Sequence, residues 1–117
     1  MWRAYLEGDL KSAVAALDRA TELVPIYKRD PEARFVRAEH HAMLSEPDRA
    51  LEHLSLALDE GYRCHYALVH HREWDSLRNH PQFTILTDRA AEMSQYAQTL
   101  FLDNGGDRLL GVPRSTL

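Results

Sequence analysis

The chain has 117 residues, of which 44% are apolar and 27% are charged, a balance that excludes wholesale disorder and fits one globular domain. Fourteen basic against 18 acidic side chains give a formal net charge of −4, which argues against the basic face that a non-specific nucleic-acid binder needs. The single cysteine, Cys64, excludes an intramolecular disulfide and a multi-cysteine zinc site.

The first predicted helix covers residues 10–24. Asp9 precedes it as an N-cap, and Pro25 stops it because proline cannot continue a helix. Only residues 1–7 precede this helix and its turn, so we expect a short leading helix or a chain that begins inside a longer helical array. The apolar residues of the first helix recur every three or four positions and form one stripe: Leu10, Ala13, Val14, Leu17, Ala20, Leu23 and Val24.

Two further helices are predicted before residue 62. The second starts at Pro31, with Asp30 as its N-cap, and ends at a break over residues 45–48. The third follows this break and ends at Gly61, a favourable C-terminal capping residue. Both helices carry apolar stripes of helical spacing, and no segment of the chain indicates a β-strand.

The second half of the chain is less regular at first. Residues 72–77 are predicted to form a short helical turn, and residues 79–81 a break. A fourth helix over residues 82–101 has a narrow apolar seam suited to one packing partner: Phe83, Leu86, Ala90, Met93, Ala97 and Leu100. Residues 102–117 are predicted to form a C-terminal tail.

An internal repeat links the first and third helices. Small and apolar residues of the first helix recur 37 positions later in the third, which pairs Ala13, Val14, Leu17 and Ala20 with Ala50, Leu51, Leu54 and Ala57. Together with Gly8 and Pro25, this pattern resembles the tetratricopeptide repeat family. The second copy departs from the family at Ser45 and Tyr62, which stand where a turn glycine and a closing proline are usual. The resemblance implies an all-α fold of antiparallel helix–turn–helix pairs stacked in a right-handed superhelix.

A second resemblance concerns the segment that follows the repeats. The run from Leu77 to Phe83, with Trp74 before it, is similar to the element that closes bacterial tetratricopeptide arrays. Such arrays often follow a nucleotidyl cyclase, a protein kinase or a winged-helix transcription regulator. We therefore expect a helical domain and a tail: a partial first repeat (1–25), a second repeat (31–61) and a closing element with its helix (62–101) make up domain 1–101, and the tail covers 102–117.

In this family the first helix of each pair lines a concave binding surface. The resemblance therefore assigns partner binding to seven residues: Trp2, Tyr5, Leu6, Glu32, Phe35, Glu39 and Met43. Aromatic residues beside carboxylates suit a partner helix or an extended peptide of basic character. Core packing is an alternative for the aromatic residues, and contact with a preceding helix is a further one for Trp2. Because so few repeats leave an apolar N-terminal face, we also expect a homo-oligomer formed through that face.

Seven histidines keep a metal-binding alternative open: His40, His41, His53, His65, His70, His71 and His80. Zinc ligands on one helix face need a spacing of three or four residues, which neither adjacent pair provides. Residues 71–73 do not match the His-Glu-x-x-His zinc motif, so the sequence assigns no metal ligand and no cofactor. His41 stands where the family has a packing aromatic, and we expect a partly buried ring there with one hydrogen bond.

The residues indicate neither an enzyme nor a membrane protein. Cys64 and His65 are adjacent, but a catalytic pair meets in space and needs a third orienting group, so we expect only a semi-buried thiol. No apolar run approaches the roughly 18–20 residues that span a bilayer. Charge at Arg3 and Glu7 comes too early for a secretory signal. We therefore expect a cytoplasmic protein, or a soluble part of a protein anchored elsewhere.

The sequence thus predicts a non-enzymatic protein-interaction or scaffolding module, as a regulatory part of a bacterial signalling protein. It would bind a peptide or a helix, or mediate oligomerisation, and would bind neither nucleic acid nor membrane. The alternative is a small metal- or ligand-binding protein that uses the histidine-rich middle segment.

Overall fold

The computed structural model describes residues 1–23 and 30–113. Within that part every regular element is helical and no β-strand occurs, which confirms the predicted all-α class. The second helix is described as far as Leu23, and its predicted stop at Pro25 lies outside the described residues. The elements are α1 (Trp2–Leu6), α2 (Leu10–Leu23), α3 (Pro31–Met43), α4 (Pro47–Asp59), α5 (His65–His70), a 3₁₀ helix (Arg72–Leu77), α6 (Pro81–Asp103) and α7 (Gly106–Leu110).

Side-chain caps fix the starts of three helices. The Asp9 carboxylate accepts a hydrogen bond of 3.0 Å from the backbone N–H of Ser12, as predicted for the first long helix. Asp30 accepts one of 2.9 Å from the backbone N–H of Glu32, also as predicted. His80 caps α6 in the same way through its ring nitrogen Nδ1. Proline in the first turn of α3, α4 and α6 adds to these signals, because its fixed φ suits that position.

The main hydrophobic core lies between α3, α4, α5, the 3₁₀ helix and the first half of α6. The fully buried Trp74 joins these elements, with its ring centroid 5.8 Å from that of Phe35 and 5.4 Å from that of Phe83. Arg34, near the start of α3, forms an ion pair of 2.8 Å with Glu60, just beyond the end of α4. Since this contact joins opposite ends of the two helices, α3 and α4 run antiparallel and form a helix–turn–helix pair.

A smaller core joins α1 and α2 to the α3–α4 pair. Leu17 of α2 packs against Leu44, the residue that follows α3. The Arg37 guanidinium on α3 donates a hydrogen bond of 2.9 Å to the backbone oxygen of Leu17. Arg49 on α4 forms a two-pronged ion pair with Asp18 on α2. These contacts hold α2 beside the α3–α4 pair, and the ring contact of Trp2 with His40 holds α1 beside α3.

The irregular segment after α4 folds into two short helices. Helix α5 is not predicted by the sequence, because six residues are too few to show a periodic stripe. The 3₁₀ helix confirms the short turn that the sequence predicts over residues 72–77. Arg78 ties the two together by donating hydrogen bonds of 2.9 Å to the backbone oxygens of Leu68 and His71. Its Nε also pairs with Asp75 at 2.8 Å.

The buried residues of helix α6 all lie in its first half. Phe83 and Ala90 are buried, as the seam predicts, but Leu100 near the other end is 44% exposed. The prediction of a tail over residues 102–117 is wrong in part, because Gly106–Leu110 forms α7, a helix too short for its apolar spacing to be visible in the sequence. Although α6 has 23 residues, neither it nor any other helix in the described ranges combines the length and apolarity needed to cross a membrane.

Candidate functional site

Helix α1, the end of α3 and the 3₁₀ helix enclose an open groove of about 550 Å³, here called the N-terminal groove. One wall is largely apolar and consists of Trp2, Tyr5, Leu6, Ala42 and Met43. The other wall is polar and consists of Arg72, Glu73, Asp75 and Ser76 of the 3₁₀ helix, while Ser45, in the turn after α3, also lines the groove. The structure therefore brings four of the seven predicted partner-binding residues into one concave surface: Trp2, Tyr5, Leu6 and Met43.

Trp2 holds α1 beside α3 and still offers surface to the N-terminal groove. Its ring lies edge-on to that of Tyr5, with centroids 5.9 Å apart, and to that of His40 on α3 at 5.2 Å. Even so, Trp2 remains 48% exposed and Leu6 remains 81% exposed. Exposed aromatic and leucine side chains grouped on a concave surface are typical of sites that another apolar chain covers.

The polar wall of the groove carries more acidic than basic side chains. Arg72 supplies one positive charge, whereas Glu73 and Asp75 supply two negative charges. Asp75 is held in place by its ion pair with Arg78, and 66% of its side chain remains exposed. A groove with one apolar wall and one acidic wall suits an amphipathic partner that carries basic residues along one side.

Three of the seven predicted partner-binding residues do not line the N-terminal groove, and Phe35 and Glu32 are two of them. Phe35 is only 4% exposed, and its ring packs 5.3 Å from that of Tyr62 in the main core. Its assignment to the binding surface is therefore corrected to core packing. Glu32 is exposed, but it lies at the opposite end of α3 from Met43, about 16 Å away at the rise of an α-helix.

Glu39, the last of the seven, connects α3 to the 3₁₀ helix. Its side chain is only 12% exposed, and its Oε2 lies 2.8 Å from Nδ1 of His71. The indole N–H of the buried Trp74 donates a hydrogen bond of 3.1 Å to the same oxygen. Glu73 completes a cluster, because one ligand atom each of Glu39, His71 and Glu73 lie within 4.8 Å of one another. The sequence analysis missed this cluster, because Glu39 lies 32 positions before His71 and 34 before Glu73, with α4 and α5 between them.

A pair of histidines is buried between α3 and α4. His41 is fully buried, and its ring stacks parallel on that of His53 with centroids 5.2 Å apart. Neither ring nitrogen of His41 has a hydrogen-bond partner among the described residues, so the expected single hydrogen bond is not found. Burial lowers the pKa of His41 to about 4, and the positive charge of Arg49 acts in the same direction. His41 is therefore neutral at physiological pH and packs as an aromatic ring.

Cys64 is buried in the main core at 4% exposure. Burial raises the pKa of its thiol to about 12, so the nucleophilic thiolate is absent at neutral pH. The structure thus places Cys64 among packing side chains and buries it more fully than the semi-buried thiol that the sequence predicts.

No protein-family model, no curated protein and no solved structure matches the chain. The geometry of the N-terminal groove and of the cluster beside it is therefore the basis for the functional argument that follows.

Proposed function

We propose that the chain is a non-enzymatic protein-interaction module that binds a helix or an extended peptide in the N-terminal groove. The observation that carries this proposal is the exposure of Trp2 and Leu6 in a concave surface with one apolar and one polar wall. Burying such side chains against a partner would contribute roughly 25 cal/mol per Å² of apolar surface removed from water. The occupant is another polypeptide, such as a second copy of this chain or a segment of a different protein.

The charged residues that line the groove indicate which kind of peptide it would bind. Glu73 and Asp75 on the polar wall favour lysine or arginine on the partner, while the apolar wall favours leucine or aromatic anchors. An amphipathic helix meets both requirements when its anchors recur every three or four residues and its basic residues follow on the adjacent face. Both features can be sought in a library of peptides.

The arrangement of helices supports a tetratricopeptide-like assignment. Helices α1 and α2 pack together, α3 and α4 form an antiparallel pair, and α6 packs against α4 after them. This order is the one that the sequence resemblance implies, and on that resemblance alone we propose a regulatory role within a bacterial signalling protein. The superhelical stacking of the pairs belongs to the same proposal.

Panning a displayed random-peptide library against the chain tests the proposed function. We expect enrichment of sequences that combine apolar anchors with lysine or arginine, and we expect Leu6→Asp to abolish their binding. Leu109→Asp is the matched control, since Leu109 is 83% exposed and Leu6 is 81% exposed, but Leu109 lies on α7, away from the groove lining. Enrichment of peptides that bind the wild type and Leu6→Asp equally would contradict the proposal, as would the absence of any enrichment.

A further inference from the structure

The cluster of Glu39, His71 and Glu73 lies at the edge of the N-terminal groove and has the composition of a metal site. It offers two carboxylates and one imidazole, and one ligand atom from each side chain lies within 4.8 Å of the other two. Two elements bring them together. Glu39 projects from α3, whereas His71 precedes the 3₁₀ helix and Glu73 lies in its first turn.

The cluster contains two carboxylates, whose negative charges favour the binding of a cation. Glu39 is 12% exposed, so its carboxylate is largely removed from water, and the carboxylate of Glu73 lies close to it. Two negative charges at this separation in a partly buried place repel each other unless a positive charge lies between them. A divalent ion bound by two carboxylates and one neutral imidazole makes a site with no net charge.

The Glu39 carboxylate also accepts a hydrogen bond from a fixed side chain, as metal-ligating carboxylates do. The N–H of Trp74, a side chain fixed in the core, donates to Oε2 of Glu39 at 3.1 Å. Hydrogen bonds of this kind orient ligating carboxylates in metalloproteins. Nδ1 of His71 lies 2.8 Å from the same oxygen, so two of the three ligand atoms already face each other at short range.

We propose that Glu39, His71 and Glu73 form a binding site for a divalent transition-metal ion, for which Zn²⁺ is the best match. Zinc takes nitrogen and oxygen ligands at about 2.0–2.2 Å in tetrahedral geometry, which places ligand atoms about 3.4 Å apart. The three side chains need to close by no more than about 1.5 Å, and the exposed His71 and the partly buried Glu73 can do so by changing rotamer. Calcium and magnesium are disfavoured, because they prefer six or more oxygen ligands.

Three protein ligands leave one tetrahedral position for water or for a group from another molecule. Because Glu73 also lines the N-terminal groove, a ligand from a bound partner can reach that position. The metal site does not rest on the proposed function, since it would bind the ion whether or not the groove is filled. Failure of either proposal leaves the other standing.

Titration of the tag-free, metal-free chain with Zn²⁺ alone, followed by calorimetry at pH 7.5, tests the site. We expect one ion per chain, and we expect His71→Gln and Glu73→Gln each to weaken binding by about tenfold or more, since losing even a group behind a ligand weakens metal binding by about 10–100-fold. Glu73→Gln is the decisive variant, because the hydrogen bonds of Glu39 to His71 and Trp74 do not involve it.

Two matched controls separate this site from scattered surface histidines. His70→Gln alters the neighbouring histidine, which packs against Tyr66 with ring centroids 4.3 Å apart, and should bind Zn²⁺ like the wild type. Glu32→Gln removes an exposed carboxylate of the same helix as Glu39 and should also leave binding unchanged. The proposal is overturned if the wild type binds no Zn²⁺, if Glu73→Gln binds it as tightly as the wild type, or if His70→Gln weakens binding as much as His71→Gln.

Discussion

At the scale of single residues, His41 is the side chain outside the groove that matters most for the pH dependence of stability. A fully buried imidazole without a hydrogen-bond partner among the described residues is tolerated only in its neutral form, because a charged ring there would lose its hydration. His41 thus packs like an aromatic residue but can take up a proton. That difference makes the stability of the fold depend on pH.

We predict that the free energy of unfolding falls as the pH is lowered from 6.5 to about 4. Burial lowers the pKa of His41 from 6.5 to about 4 in the folded chain, so in this range the unfolded chain binds a proton that the folded chain does not. The contribution is constant above pH 6.5, and its loss below that approaches about 1.4 kcal/mol per pH unit and about 3 kcal/mol in all. Burial also lowers the pKa values of His40 and His53, which adds to the loss in the same direction.

Urea denaturation at half-unit pH steps measures this effect. His41→Phe should keep an aromatic ring at the position and reduce the pH dependence between 6.5 and 4, leaving the part that His40 and His53 contribute. His70→Phe alters an exposed histidine and should retain the wild-type profile. An unchanged profile in His41→Phe would show that the lost stability comes from other groups.

At the scale of elements, the helices with long apolar stripes and the 3₁₀ turn over residues 72–77 could be predicted, whereas α5 and α7 could not. The stripes of α2, α3, α4 and α6 are visible in the sequence, and Asp9 and Asp30 mark two of the starts. Helices α5 and α7 have six and five residues, too few for a stripe. Helix α1 has five residues and shows no stripe either, so Trp2, Tyr5 and Leu6 of the apolar wall are predicted only from the resemblance to the tetratricopeptide repeat family. The polar wall could not be predicted, since its position depends on contacts between α3 and the 3₁₀ helix.

The 3₁₀ helix depends on Arg78, and we predict that Arg78→Ala destabilises the fold by about 2 kcal/mol. The guanidinium donates to the backbone oxygens of Leu68 and His71, and a hydrogen bond from a charged group contributes about 1.5–3 kcal/mol. Arg78→Lys should recover little of this, because one ammonium cannot reproduce a planar guanidinium that reaches several acceptors. Thermal and urea denaturation followed by circular dichroism measure the change.

Arg3→Ala serves as the control for that measurement. Arg3 also pairs with a carboxylate, Glu7, but its side chain is 92% exposed and such a pair adds little to stability. We expect no measurable change in this variant. Equal stability of Arg78→Ala and the wild type would mean that the core around Trp74 alone positions the polar wall.

At the scale of the whole molecule, the chain is elongated. Its radius of gyration is 16.6 Å, compared with about 13 Å for a compact domain of this length. The extents of 51 × 32 × 23 Å agree with helix pairs laid side by side. Helix α1 leaves Trp2 and Leu6 exposed, so this helix presents apolar surface to another chain.

The central claim is that the N-terminal groove is a surface on which another polypeptide packs, and the most direct partner to test is a second copy of this chain. Sedimentation equilibrium over a wide range of concentrations should show self-association of the wild type and of Leu109→Asp. The same measurement should show a monomer for Leu6→Asp, because a charge placed on the apolar wall cannot be buried at low cost. A wild type that stays monomeric at the highest concentration would exclude a second copy as the occupant, and a Leu6→Asp variant that associates as strongly as the wild type would contradict the account.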